Sequence, residues 1–266
     1  MKIVIAVALF TWPLFLPCLS AHADTVAFFY ALDKDFETLK TGGQLIGQPL
    51  KVGSRSLVVV QIASHRVYAV KMGSGAVETA ASVQALLARV KCDEAFSVGP
   101  VGAISDQIKT GSWYRVESIA CYQKGSWSKN GFHFSANATL SLTNPPNGPT
   151  NLPELFQNAK HITVASGEVF VASDNYRAQL HDITQAGAVD MNLFGLVTVC
   201  ADHQLPLTCW RIASDCADDN ASEDFRKFVA NYNGAGGKAV AEIIKRLPAN
   251  PNSPEAYPNL RKILSP

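Results

Sequence analysis

The chain has 266 residues, a formal net charge of +1 and 47% hydrophobic residues. A near-zero balance with no basic run or stripe argues against nucleic acid and anionic membrane surfaces as partners. Six cysteines occur without a C-x-x-C pair or a zinc-type Cys/His spacing, so no metal is indicated, and no organic cofactor either.

The chain opens with "MKIVIAVALFTWPLFLPCLSAHA". Lys2, an apolar run and the small-residue ending Ala21-His22-Ala23 form the pattern of a secretory signal peptide, residues 1–23. Pro13 and Pro17 argue against a stable spanning helix. The expectation is a periplasmic or secreted protein, free of the membrane after signal removal, with residues 24–266 as one domain. Cys92, Cys121, Cys200, Cys209 and Cys216 remain, an odd number, and read as small buried residues rather than a disulfide framework.

"TVAFFYAL" (25–32) predicts a first strand, and Asp33 and Asp35 follow it. Acids there suit either a ligand crevice or the positive end of a helix. "SLVVVQIAS" and "HRVYAVKMG" (56–73) predict two strands joined as a hairpin. "GAVETAASVQALLARV" (75–90) carries helical periodicity. "EAFSVGPVGAI" (94–104) predicts a strand entering a glycine turn, and "SWYRVESIACYQ" (112–123) another strand. Residues 124–152, with "NPPNGPTN", lack a period and predict a long surface excursion. "HITVASGEVFVAS" (161–173) predicts a strand, 175–185 a short helix, 189–204 an apolar helix and "LPLTCWRIAS" (205–214) a buried strand. Ser222 predicts the N-cap of a last helix, broken at "NGAGG" and resuming to about Leu247. Alternating strands and helices predict an α/β fold.

Four stretches could carry chemistry. These are "ALDKDFETL", the glycine turns "GSGAVETA" and "SVGPVGAI", "SGEVFVAS" with "VDMNLF", and "RIASDCADDNASEDF". The last ends a buried strand on Ser214 and Asp215. A carboxyl group held there and partly desolvated can stay protonated and donate a proton. No Gly-x-Ser-x-Gly elbow and no Cys–His pairing supports a nucleophile triad.

Taken in order, these segments resemble the purine nucleoside phosphorylase and uridine phosphorylase superfamily, nearest its methylthioadenosine/S-adenosylhomocysteine nucleosidase branch. The resemblance implies a three-layer α/β/α sandwich with a mixed central sheet. It implies cleavage of the N-glycosidic bond of a methylthioadenosine-like purine nucleoside, and a homodimer. Asp215 then corresponds to the acid serving the leaving purine, with Ser214 orienting it. Phe170 corresponds to the stacking aromatic, Val171 to the position whose backbone reads the purine edge, and Met191 to the methionine under the ribose. Gly102 belongs to the glycine turn. Asp35 falls where a glutamate positions the attacking water.

The sequence departs from that pattern at the ribose side. Asn192 replaces the ribose-hydroxyl glutamate, Asp190 is shorter than the usual acid, and Pro100 replaces a polar turn residue. On that reading Asn192→Glu is expected to raise activity on ribonucleosides. The phosphorylases' glycine-aspartate-proline-x-arginine turn has no counterpart in "ALDKDF", which favours water over phosphate as the acceptor. A non-catalytic nucleoside-binding protein and a phosphate-dependent phosphorylase stand as alternatives.

Overall fold

The computed structural model describes residues 25–135, 138–143, 149 and 151–248. The expected signal peptide, most of "NPPNGPTN" and the proline-rich tail lie outside the described residues. Among these, the chain forms thirteen strands and seven helices.

The first half runs β1 (Thr25–Tyr30), α1 (Asp33–Lys40), β2 (Gln44–Leu45), β3 (Leu50–Val52), β4 (Arg55–Ile62), β5 (His65–Lys71) and α2 (Ala76–Leu87). Next come β6 (Glu94–Ala103), β7 (Trp113–Cys121), β8 (Gly125–Ser128), β9 (Gly131–Phe134), β10 (Thr139–Ser141) and α3 (Glu154–Gln157). The chain then forms β11 (Lys160–Ser166), α4 (Asp174–Thr184), β12 (Ala188–Asp190), α5 (Leu193–Asp202) and β13 (Leu207–Asp215). Two helices close it, α6 (Ala221–Asn231) and α7 (Ala235–Arg246).

Eleven strands form one mixed sheet, ordered β10-β7-β11-β12-β6-β1-β5-β4-β2, with β3 on β4. β13 pairs with β6 in parallel and with β7 antiparallel. Strands β7, β11, β12, β6 and β13 therefore close into a ring within the mixed sheet. β1 shows why a helical layer must cover each face. Ala27 and Phe29 join one core with Leu86 of α2 and Leu196 of α5, whereas Val26 and Phe28 join another with Leu39 of α1 and Ile244 of α7. Strand alternation sends successive side chains to opposite faces, and burying each large apolar one contributes roughly 1.5–3 kcal/mol. The expected α/β/α layering follows.

Several boundaries differ from expectation. The glycine run of "SVGPVGAI" does not turn; it stays extended in β6. β11 stops at Ser166, so Phe170 and Val171 lie on the loop before α4. The apolar stretch from Val189 splits into the end of β12 and then α5. Within 124–152 a β8–β9 hairpin and β10 replace the expected structureless excursion. The last helix begins at Ala221 behind Asn220, so Ser222 is inside it rather than at its cap.

α1 and α7 meet closely enough to require glycine. A Cβ at Gly237 would fall 1.8 Å from the Asp35 carbonyl oxygen. Gly237→Ala must push the two helices apart. It is expected to cost about 1–3 kcal/mol, as overpacking in a fixed core does. Urea unfolding of wild type and variant measures this directly.

Candidate active site

A cavity of about 400 Å³ opens at the C-terminal ends of β1, β5 and β13 and beside the end of β6. This is where an α/β sheet places its ligand. Its wall carries Ser214, Asp215, Gly102, Phe170, Val171, Met191 and Asn192, together with Asp190 and Pro100. All the residues expected at the site are thus brought together except Asp35.

Asp215 owes its position to an irregularity in β13. Ala213 pairs with Val101 and Asp215 with Gly102, which leaves Ser214 as an extra residue. Such a bulge bends the strand and re-aims the side chain after it. A Cβ at Gly102 would sit 2.8 Å from Asp215 Oδ1, so glycine is what leaves room for the carboxyl group. Oδ1 accepts a hydrogen bond from the Ala217 amide at 2.9 Å, with Ala217 in the left-handed region at φ 52°. The Ser214 hydroxyl lies 2.7 Å from Asp215 Oδ2 and 3.1 Å from the Val101 carbonyl oxygen. It has one proton for two acceptors. It can donate to an ionised Asp215, or turn to Val101 when Asp215 is protonated.

Burial pushes the Asp215 carboxyl above the ordinary carboxylate range. The hydrogen bonds from Ser214 and Ala217 oppose this, and the charges of Asp218 and Asp224 add to it. A buried acid biased toward its protonated form, facing an apolar cavity, is a proton donor in waiting. Asp218 instead accepts from the Asn220 amide and serves the turn.

Phe170 is 40% exposed at the cavity edge and packs against Phe225 of α6, ring centroids 5.6 Å apart. Val171 is buried. Phe225 was within sight in the sequence, inside "SEDF", but helical periodicity alone did not mark it as a cavity residue. Leu32, Met72, Gly73 and Ser74 complete the opposite wall.

Asp190 ends β12 almost fully buried, and its two oxygens lie 3.2 and 3.1 Å from the Leu193 amide that opens α5. Burial raises its pKa, and the guanidinium of Arg211 on β13 lowers it, with Arg211 Nε 3.7 Å away. Asn192 donates its amide to the Gly73 carbonyl and, at 3.0 Å, to the Thr79 hydroxyl. It stitches the start of α5 to the loop before α2. A glutamate at 192 would turn a carboxylate toward the Gly73 carbonyl. The expectation that Asn192→Glu raises activity is therefore reversed, since acceptor would face acceptor.

The water-positioning role expected of Asp35 is also corrected. Asp35 is completely buried and is not among the residues lining the cavity. Its Oδ1 accepts from the Tyr232 hydroxyl at 2.6 Å and the Gly237 amide at 3.0 Å. The first-turn amides and positive end of α7, which have no partner within the helix, draw the carboxyl group away from the cavity. Burial nonetheless raises its pKa from 3.8 to about 6. A folded-state pKa above the unfolded one makes the protein lose stability as pH rises from about 4 to 6. Asp35→Asn keeps an acceptor for Tyr232 and Gly237. It is expected to flatten stability across that window, seen in denaturant midpoints at pH 4 and pH 6, and to leave catalytic turnover within about threefold, unlike loss of a catalytic acid.

Comparison with known proteins adds to this geometry. The chain resembles the methylthioadenosine/S-adenosylhomocysteine nucleosidase of Neisseria meningitidis in complex with methylthio-immucillin-A, at 22% identity and a TM-score of 0.72, covering 84% of this chain and 100% of that one. It resembles the corresponding Campylobacter jejuni enzyme at 18% identity and a TM-score of 0.73, covering 84% and 99%. The futalosine hydrolase of Helicobacter pylori matches at 15% identity and a TM-score of 0.67, covering 84% and 96%. These likenesses establish the fold. The family model for the phosphorylase superfamily matches residues 25–245, and the chain belongs to that superfamily.

Proposed function

We propose that the protein is an exported purine nucleosidase that hydrolyses the N-glycosidic bond of a methylthioadenosine-like nucleoside. The observation that carries this reading is Asp215. It is a buried, serine-clamped carboxyl group biased toward protonation, at the wall of a cavity edged by Phe170 and Phe225. Cleavage of an N-glycosidic bond passes through an oxocarbenium-like state in which the base gains negative charge. A proton donor on the base side lowers that barrier. Phe170 and Phe225 offer ring faces to a purine, and Met191 an apolar floor to its sugar. The relatives named for nucleosidase and hydrolase activity support the same reaction class.

Water is favoured over phosphate by the start of α2. A helix N-terminus with glycines before it is a ready anion site. Here the Glu168 carboxylate fills it, accepting from the Val77 amide at 3.0 Å, and a Cβ at Gly75 would meet Glu168 Oε2. Among the described residues, Lys71 is the one cationic side chain on the cavity wall, and it is paired with Asp33 at 2.8 Å. A phosphate dianion would meet a carboxylate where it needs amides.

A second reading, a nucleoside-binding protein without catalysis, draws on the withdrawal of Asp35 from the cavity. A homodimer and a periplasmic or secreted location belong to the proposal as well. Exposed Val77, Val169 and Phe170 near the cavity mouth support a subunit contact.

The test is release of free base from adenosine, methylthioadenosine, inosine and futalosine, with and without phosphate. Release without phosphate is expected. Binding without release would favour the second reading, and release only with phosphate would overturn hydrolysis. Asp215→Asn is expected to lower base release by at least about a hundredfold, the usual scale of general-acid loss, with little change in thermal midpoint. Because the protonated form of Asp215 is the active one, wild-type activity is expected to fall as pH rises through its elevated pKa.

A further inference from the structure

Resting on the nucleosidase reading, we infer that Tyr122 is a positioning residue for the base: it fixes the loop that carries Phe170 and so sets where that ring stands in the cavity. The sheet releases this loop early. β11 and β7 pair in parallel as far as Ser166 and Cys121, and both strands end there. Gly167 to Ser173 lie outside the ladder, yet Val169, Phe170 and Val171 line the cavity. The ends of the loop are held by backbone. The Gly167 amide donates to the Asp190 carbonyl and the Ser173 amide to the Ala217 carbonyl, both at 3.1 Å.

Its middle is held by the two side chains that follow β7. The Tyr122 hydroxyl donates to the Val169 carbonyl at 3.1 Å and accepts from the Val169 amide at 3.3 Å. Gln123 Oε1 accepts from the Glu168 amide at 2.8 Å. A phenol hydroxyl is donor and acceptor at once, so one group satisfies both polar atoms of the residue before Phe170. Burial raises the Tyr122 pKa, which keeps the proton on the oxygen. The ring itself is buried and fixed on two sides. Gly167 leaves room for it, since a Cβ there would fall 2.4 Å from Tyr122 Cζ, and the Tyr176 ring stands edge-on with centroids 6.4 Å apart. A hydroxyl on a locked ring is a fixed point for a loop; solvent satisfies the same backbone groups without fixing them. Phe170 needs such a point, because it is partly exposed and packs against Phe225 of another element. Tyr122 is not among the residues lining the cavity, so its effect reaches a ligand through the loop.

Tyr122→Phe keeps the ring and removes only the hydroxyl. With methylthioadenosine it is expected to raise KM about tenfold, the scale of one or two lost hydrogen bonds, and to leave kcat within about threefold. The chemical step is spared because Asp215 takes its hydrogen bonds from Ser214 and Ala217, not from Tyr122. General loosening of the fold can also raise KM, so the deciding measurement is kcat/KM for Tyr122→Phe, Phe170→Ala and the double variant. A hydroxyl that acts through Phe170 has little left to position once that ring is gone. In the Phe170→Ala background its removal is expected to change kcat/KM by less than about twofold. An equal loss in both backgrounds, or an unchanged KM in the single variant, would overturn the inference and leave the nucleosidase reading standing. Absence of base release by the wild type would overturn both.

Discussion

The site depends on one packing constraint, the contact between Gly102 on β6 and the carboxyl group of Asp215 on β13. A Cβ at 102 would meet Asp215 Oδ1 at 2.8 Å and Ala217 Cβ at 3.1 Å, so any side chain there would compete with the carboxyl group for space. Glycine leaves that room, and the bulge at Ser214 turns Asp215 into it. The acid is thereby built from backbone geometry rather than from a flexible loop. Its desolvation comes from the strands themselves, and its hydrogen bonds come from the two residues beside it in the chain, Ser214 and Ala217. Such a group changes its protonation without reorganising anything larger than a hydroxyl rotor. That is the preorganisation a proton donor needs.

How much of this was legible in the sequence follows from range. β1, β4, β5, β6 and β13 are read from apolar and β-branched runs, because a strand buried on both faces leaves that mark. Ser214 and Asp215 are legible as the end of a buried strand, whereas Phe170, Val171, Met191 and Asn192 are placed by the family resemblance; all six line the cavity. Asp35 looked equivalent on both counts. Nothing local shows that the N-terminus of α7, two hundred residues later, claims its carboxyl group through Gly237 and Tyr232. Phe225, Thr79 and Glu168 were missed for the same reason, since their roles exist only across long separations. The β8–β9 hairpin escaped notice because its strands are short, exposed and polar at most positions, so no buried face writes a period.

The glycine-rich loop before α2 shows how similar local chemistry can serve opposite ends. Gly73, Ser74 and Gly75 precede a helix, the arrangement that elsewhere cradles anions. Here Glu168 supplies the negative charge internally, and the Gly73 carbonyl is turned toward Asn192 and Thr79. The loop is satisfied by the protein before any ligand arrives. Its remaining contribution to the cavity is shape, with Met72 and Gly73 on the wall, more than charge.

Arg211 ties these features to the frame. Its guanidinium is 1% exposed beneath the cavity, with Nη1 donating to Ser97 at 3.2 Å and to the Trp210 carbonyl at 3.0 Å. Its charge lowers the pKa of both Asp190 and Asp35, against the burial that raises them. A buried cation with no anion would be strongly destabilising, and so would Asp190 without the Arg211 it pairs with. Asp190 accepts from the Leu193 amide that opens α5 and pairs with Arg211, whereas Asp35 accepts from the Gly237 amide in the first turn of α7 on the other face of the sheet. Moving Asp35 into the cavity would take its carboxyl group from the Gly237 amide and the Tyr232 hydroxyl at the start of α7. The position of Asp35 is thus held by the start of α7, and the chemistry of the cavity is left to the acid that β13 delivers.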